Sequence, residues 1–308
     1  MGRYIKILFC GLLLLSVYSC NKKDDFTESI FVDEPKLNPG SKTYQFDMWL
    51  NANYLKPYNL EFRYKLPDVY TDIDYNLVPA SIDKSMIVAV LTKYLWFDVY
   101  SKIVSEDFLK QYGPRIIKLI GSPAYNPSLG TMILGTAEGG IEVTLYRCNE
   151  ASSGNIDFMN ENYFKTMHHE FAHILQQQKT QPKEFETLSA GQYDPTGWQN
   201  RTAAQAAALG YVSPYAGSEP REDFVEVIAN YIVKSDAQWQ AILNMAAQPG
   251  PLPMRGDAII KAKLELVRKW LADAWKIDLD AMHKEVQDRQ NYVDDALQQG
   301  LTEINAIN

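Results

Sequence analysis

Met167-His168-His169-Glu170-Phe171-Ala172-His173-Ile174-Leu175-Gln176-Gln177 is the stretch that decides how the chain is read. It contains His-Glu-x-x-His inside a segment of helical character. Phe164, Met167, Phe171, Ile174 and Leu175 recur at helical intervals, and neither Pro nor Gly occurs from Glu161 to Gln178. Residues four apart on a helix leave the same face, so His169 and His173 can aim their imidazoles at one ion. Glu170 lies one step round, placed to hold a water beside that ion without ligating it. Zinc hydrolysis needs this arrangement, because the ion lowers the pKa of its water toward ~7 and a carboxylate takes and returns the proton. The competing reading is a solvated helix with two incidental histidines. Against it, the chain has four histidines, and three of them fall between positions 168 and 173. His168 projects about 100° away from His169 and is expected either to be structural or to support a ligand from behind.

A zinc site of this kind needs a third protein ligand. The metzincin pattern would require Gly at 176 and His at 179, where Gln176 and Lys179 stand, so that class is excluded. His283 lies far downstream in a charged helical stretch and is expected to be solvated. A carboxylate from a later helix is therefore expected. In Glu222-Asp223-Phe224-Val225-Glu226 two glutamates sit one turn apart at the start of an apolar-faced helix. Glu222 is expected to bind the metal, and Glu226 to accept the second imidazole N–H of a ligand histidine, fixing its tautomer. The plain alternative is an acidic first turn stabilised by the helix dipole. Glu184 and Glu186, in a loop soon after His173, are weaker rivals.

Residues 1–19 read as an export signal: Arg3 and Lys6 are followed by an apolar run, Ile7 to Tyr18, too short for a spanning helix of about 20 residues. The run ends in Leu15-Ser16-Val17-Tyr18-Ser19-Cys20, which looks like a bacterial lipobox with Cys20 as the lipidated residue and mature N-terminus. Asn21-Lys22-Lys23-Asp24-Asp25 resembles the surface-export signal of Bacteroidota lipoproteins. The expected location is the outer membrane, facing outward and held by the lipid on Cys20. Loss of Arg3 and Lys6 with the signal takes the net charge from −8 to −10. Such acidity argues against nucleic acid or anionic lipid as partner. Cys10 leaves with the signal, so Cys148 has no partner for an internal bridge and is expected to be a small buried residue.

Residues 20–43 read as the lipidated N-terminus and its tether. A short helix is expected around Phe46–Tyr54, and the alternation from Tyr58 to Leu66 reads as a half-buried strand. Ile82 to Val104 has a broad apolar helical face. Arg115–Ile120 reads as a strand, and Thr131–Leu134 and Ile141–Tyr146 as an antiparallel pair joined by a turn over 135–140. A polar loop is expected through Gly197. Helices are expected at Thr202–Leu209, Pro220–Val233, Ala237–Ala247, Asp257–Trp275 and Leu279–Leu297.

The ordered motifs resemble a known family. His169-Glu170-Phe171-Ala172-His173 followed by Tyr215-Ala216-Gly217-Ser218-Glu219-Pro220-Arg221-Glu222-Asp223-Phe224-Val225-Glu226 looks like a gluzincin peptidase, and is most similar to the zinc-binding metallopeptidase lipoproteins of Bacteroidota. Lys56-Pro57-Tyr58-Asn59, Leu119-Ile120-Gly121-Ser122 and Leu134-Gly135-Thr136-Ala137-Glu138-Gly139-Gly140 echo the same family, so the likeness covers most of 44–235. The resemblance implies an α+β, zincin-like fold. A small mixed or antiparallel sheet would pack on the motif helix, followed by a mostly helical C-terminal lobe, with lobes at 44–180 and 181–308. The Tyr-to-Glu spacing is similar to that of the lethal-factor toxin protease, which implies that Tyr215 steadies the oxyanion. The function expected is a surface-anchored endopeptidase with one Zn2+ per chain, held by His169, His173 and Glu222, with Glu170 as base and peptides or proteins as substrate. The alternative is a surface lipoprotein that binds a glycan or protein, its zinc site structural or vestigial.

Overall fold

The computed structural model describes residues 37–66, 77–125, 132–133, 135–138 and 141–307. The export signal, Cys20 and most of the tether lie outside the described residues, as do Thr131, Leu134 and the Gly139-Gly140 pair. Helix α1 (Tyr44–Leu50) runs on through a π-turn (Asn51–Leu55) and a short turn (Lys56–Tyr58). It stops where Asn59 adopts a left-handed conformation at φ 51°. That helix consumes the start of the expected strand, leaving β1 as Glu61–Arg63. The alternation survives around it, with Leu60, Phe62 and Tyr64 buried. Helix α2 (Ile82–Thr92) begins at Ser81, whose side chain accepts from the Lys84 N–H. It continues through a second π-turn (Lys93–Phe97) into Asp98–Ile103. Helix α3 (Glu106–Tyr112) is too short to have declared itself by periodicity.

Strands β2 (Ile116–Leu119), β3 (Ala124–Tyr125), β4 (Met132–Ile133), β5 (Gly135–Glu138) and β6 (Glu142–Leu145) follow. The main sheet has the order β1-β2-β6-β5, and β3 and β4 form a separate antiparallel pair. β1, β2 and β6 are parallel, and only β5 runs antiparallel, to β6. The expected small sheet is therefore present but mainly parallel. β1 and β2 can run side by side because α2 and α3 carry the chain back between them. The expected hairpin is also displaced: residues 135–138, read from the sequence as the turn, form the partner strand of β6. Three connecting residues, 139–141, then suffice, and the backbone of 135–138 gains ladder partners that a longer turn would deny it. Phe62, Ile117 and Val143 align in register across the three parallel strands and form one buried row.

The helical segment Ile156–Met159 leads through a third π-turn (Asn160–Phe164) into α4 (Lys165–Gln178), the helix with the three histidines. The loop after it contains α5 (Lys183–Thr187) and a 3-10 turn (Trp198–Asn200). Thr202 and Gln205 form a capping box on α6 (Ala203–Ala208), which ends at Gly210 with φ 82°. Helices α7 (Pro220–Val233), α8 (Asp236–Ala246) and α9 (Gly256–Trp270) follow the sequence reading closely. α9 extends through a fourth π-turn (Leu271–Trp275). The single long helix expected at Leu279–Leu297 is instead α10 (Leu279–Gln290) and α11 (Val293–Asn305). The break lets α11 fold back on α1, where Trp49 donates to Glu303 at 3.3 Å and Gln45 to the Ile307 carbonyl at 2.8 Å.

The fold is thus mostly helical α+β, and α4 and α7 pack along one another at its centre. The start of α7 is also held by α9. Lys263 of α9 is fully buried, donates to Asp223 at 2.5 Å and to the Gly210 carbonyl at 2.8 Å, and faces the Tyr211 ring at 4.4 Å. Tyr193 adds a hydrogen bond to the same Asp223 oxygen at 2.8 Å. A buried pair of this kind is costly to halve, because the surviving charge is stranded in the core. Lys263→Met is expected to lower unfolding stability by ~3–5 kcal/mol. The double substitution Lys263→Met with Asp223→Leu should recover part of that loss, as read by denaturant midpoints. Equal losses in the two variants would contradict this account.

Candidate metal centre

The site forms where α4 faces the first two turns of α7. His169 Nε2 lies 3.0 Å from Glu222 Oε2. His173 Nε2 lies 3.3 Å from both Glu222 oxygens. The two imidazole rings are 4.8 Å apart and nearly perpendicular. These spacings suit an ion: ligands at about 2.0–2.1 Å around a tetrahedral zinc are separated by about 3.3 Å. His169, His173 and Glu222 are also the group among the described residues able to offer three metal-ligating atoms within 4.8 Å of one another. Glu184 and Glu186 have no part in it; Glu186 instead accepts a hydrogen bond from Gln181 at 3.3 Å.

The outward-facing nitrogens are also engaged. His169 Nδ1 is 3.0 Å from Glu226 Oε1. Glu226 is buried, and its other oxygen accepts from Ser213 Oγ at 2.5 Å and from Asn230 Nδ2 at 3.1 Å. His173 Nδ1 is 3.3 Å from Gln176 Oε1. Ser213, Asn230 and Gln176 are supports that the sequence reading missed. Asn230 and Gln176 stand one turn from Glu226 and His173, and that spacing is the only signal that pointed to them.

Electrostatics ties the group together. Burial would strip the proton from His169, but Glu222 and then Glu226 outweigh burial and raise its pKa. Burial would likewise raise Glu222, yet the two imidazoles hold it below the usual carboxylate range. Glu226 is lowered against burial by the charge of Lys165 and by its contacts with His169 and Ser213. A cation bound between these atoms would compete with protonation of the imidazoles. Glu170 behaves differently. Burial raises its pKa, and the neighbouring histidines only partly offset this. Tyr215 opens a 3-10 turn (Tyr215–Gly217), its ring 5.9 Å from His169 and 5.0 Å from Trp198. It is 37% exposed. Partial burial of the ring and the nearby Glu222 carboxylate push its phenol further up from an ordinary value that already leaves it protonated at neutral pH.

A family model described as "Putative zinc-binding metallo-peptidase" matches residues 40–280. The chain belongs to this family. A crystal structure of a putative zinc-binding metallo-peptidase from Bacteroides caccae is similar over 87% of this chain and 97% of that one, at 39% identity and a TM-score of 0.71. A search of curated proteins gave no match. For a member of a zinc-binding metallopeptidase family, the His-His-Glu cluster is the natural place for the ion.

The other histidines are divided between one expectation met and one overturned. His168 is fully buried, with Nδ1 3.1 Å from the Tyr100 hydroxyl, a structural role as its direction on the helix implied. His283 is not solvated. It is buried, with Nδ1 2.7 Å from the Tyr231 carbonyl and Nε2 3.1 Å from Asp236, because α10 packs that face against α7. Cys148 is buried with its thiol on the Leu145 carbonyl, and burial pushes the thiol pKa up.

Burial depresses the His168 pKa to about 3, against about 6.5 in an unfolded chain. Between those values the unfolded chain holds the extra proton, so stability rises with pH by up to ~1.4 kcal/mol per unit. The contribution is complete above about 6.5 and is lost as pH falls toward about 3. His168→Gln is expected to flatten this acid limb in urea unfolding, and an unchanged slope would exclude His168 as its source.

Proposed function

We propose that the chain is a zinc-dependent endopeptidase with Glu170 as general base, His169, His173 and Glu222 as metal ligands, and Tyr215 as oxyanion donor. The observation that carries this reading is the Glu170 carboxylate. It lies next to His169 on α4, within electrostatic reach of His173 and Glu222, and it hydrogen-bonds to no described residue. A site that only needed metal for stability would have no use for a carboxylate kept free beside it.

Zinc, when bound, would supply a Lewis acid that acidifies water and polarises a carbonyl. Glu170 takes the proton of the attacking water and returns it to the leaving amine. Tyr215, a phenol and so protonated at neutral pH, donates to the oxygen on which negative charge develops. Glu226 holds the His169 ring so that Nε2 faces inward. The zincin-like reading of the fold belongs with this proposal. It is supported by α4 lying against β5 and β6.

Strand β5 ends the main sheet, so its outer side offers backbone groups to an extended peptide. β6, by contrast, is paired on both sides. An open groove of about 630 Å³, with Ala208, Leu209 and Met245 beside Asp194, Arg201 and Gln205, offers room for a substrate side chain. The turn Trp198–Asn200 joins it to the site, with Trp198 on Tyr215 and Asn200 in the groove wall.

Anchoring through Cys20 at the outer-membrane surface is inferred from residues 1–25 alone. Labelling with a radioactive fatty acid should mark the parent and spare Cys20→Ala; equal labelling would refute it. For catalysis, purified protein should retain about one zinc per chain and digest a peptide library in a chelator-sensitive manner. Glu170→Gln should keep the zinc and lose cleavage. Tyr215→Phe should slow turnover about 10²–10³-fold. Glu222→Ala should lose the zinc. Cleavage by Glu170→Gln at the parental rate would overturn the mechanism.

A further inference from the structure

His169 has Glu226 to orient it, and His173 needs an equivalent. From the hydrogen bonds around Gln176 we infer that this residue is the positioning residue for His173 and that it also sets the spacing between the two ligand-bearing helices. The inference rests on the metal-site reading above.

Gln176 is buried, one turn beyond His173 on α4. Its Oε1 lies 3.3 Å from His173 Nδ1 and 3.4 Å from Arg221 Nε. Its Nε2 donates to Gln181 Oε1. Gln181, also buried, has its own Nε2 3.3 Å from Glu186 Oε1 and 3.4 Å from the Pro220 carbonyl.

The direction of this relay is fixed by groups that have no choice. An arginine nitrogen can only donate, so the Gln176 atom facing Arg221 must be its oxygen. A backbone carbonyl can only accept, so the Gln181 atom facing Pro220 must be its nitrogen. Both ends demand the same arrangement: the Gln176 oxygen turns to His173 and its nitrogen to Gln181. His173 Nδ1 must then carry a hydrogen and donate it. The Nε2 lone pair is left facing Glu222, where a metal would take it.

The relay reaches α7 at Pro220 and Arg221, the two residues immediately before Glu222. One glutamine therefore fixes the tautomer of a ligand on α4 and ties α4 to the first turn of α7. Glu226 performs the corresponding task for His169 as a carboxylate. Gln176 does so as a neutral amide, which adds no third negative charge beside Glu222 and Glu226.

The test is zinc affinity, measured by chelator competition on the purified protein, with thermal unfolding of the metal-free protein alongside. Gln176→Met keeps the volume and removes the hydrogen bonds, and is expected to weaken zinc binding by about 10–100-fold. Its metal-free midpoint should fall by a few degrees, no further than that of Gln181→Met, so that a larger loss of zinc affinity in Gln176→Met reports positioning of His173. Gln176→Glu restores an acceptor for His173 and Arg221 and is expected to recover most of the affinity. Gln181→Met, which cuts the relay one step further out, should give a smaller loss than Gln176→Met. In zinc-loaded parent protein, ¹⁵N spectra should place the His173 proton on Nδ1. Parental affinity in Gln176→Met, or equal losses in Gln176→Met and Gln176→Glu, would overturn the inference. A parent that takes up no zinc would instead overturn the metal reading beneath it.

Discussion

Everything at the centre of this molecule follows from one histidine gripped at both nitrogens by the same helix. His169 meets Glu222 on one side and Glu226 on the other, each at 3.0 Å. Two glutamates one turn apart can do this only if their helix lies alongside α4 with its first turns level with the histidines. Burying two carboxylates against imidazole is expensive unless each is answered. Each is: Glu222 by a pair of rings, Glu226 by His169, Ser213 and Asn230. The close packing of α4 on α7 and the polar centre therefore require one another.

The first turn of α7 divides its acids between two neighbourhoods. Consecutive helical residues point about 100° apart. Glu222 therefore turns to the histidines, while Asp223 turns into the core toward Lys263. Burial pushes the Asp223 carboxyl up, to about 6, and Lys263 answers it with a salt bridge. That internal pair is far from decorative, because it fixes the helix end from which the metal-facing carboxylate projects.

How much of this was legible in the sequence depends on the range of the interaction. The His-Glu-x-x-His helix and the Glu-x-x-x-Glu helix were readable because spacing within a helix sets which side chains share a face. Helix α7 appears with the bounds that Pro220 and its apolar positions implied. Partners brought together by packing were not readable: nothing local ties Gln176 to Gln181 and Pro220, or Asp223 to Lys263. The strands were read less well than the helices. Residues 131–134 look more strand-like than 135–138, yet ladder pairing selected the latter for β6. Pairing depends on what backbone lies opposite, and composition does not encode that. His283 was misjudged because its charged sequence neighbours suggested solvent, while the face it occupies on α10 meets α7.

The π-turn Asn160–Phe164 just ahead of α4 separates two rotational settings within one continuous rod. Such a turn holds one residue more than a plain helical turn, so the segments on either side are indexed independently. Upstream, Ile156–Met159 turns Met159 into the core; downstream, α4 presents its histidines to α7. Excising one residue there would merge the two settings and swing one segment by about 100° relative to the other. The short widened turn therefore acts as a phase joint, allowing one end of the rod to be fitted to its packing without disturbing the bearing of the imidazoles at the other.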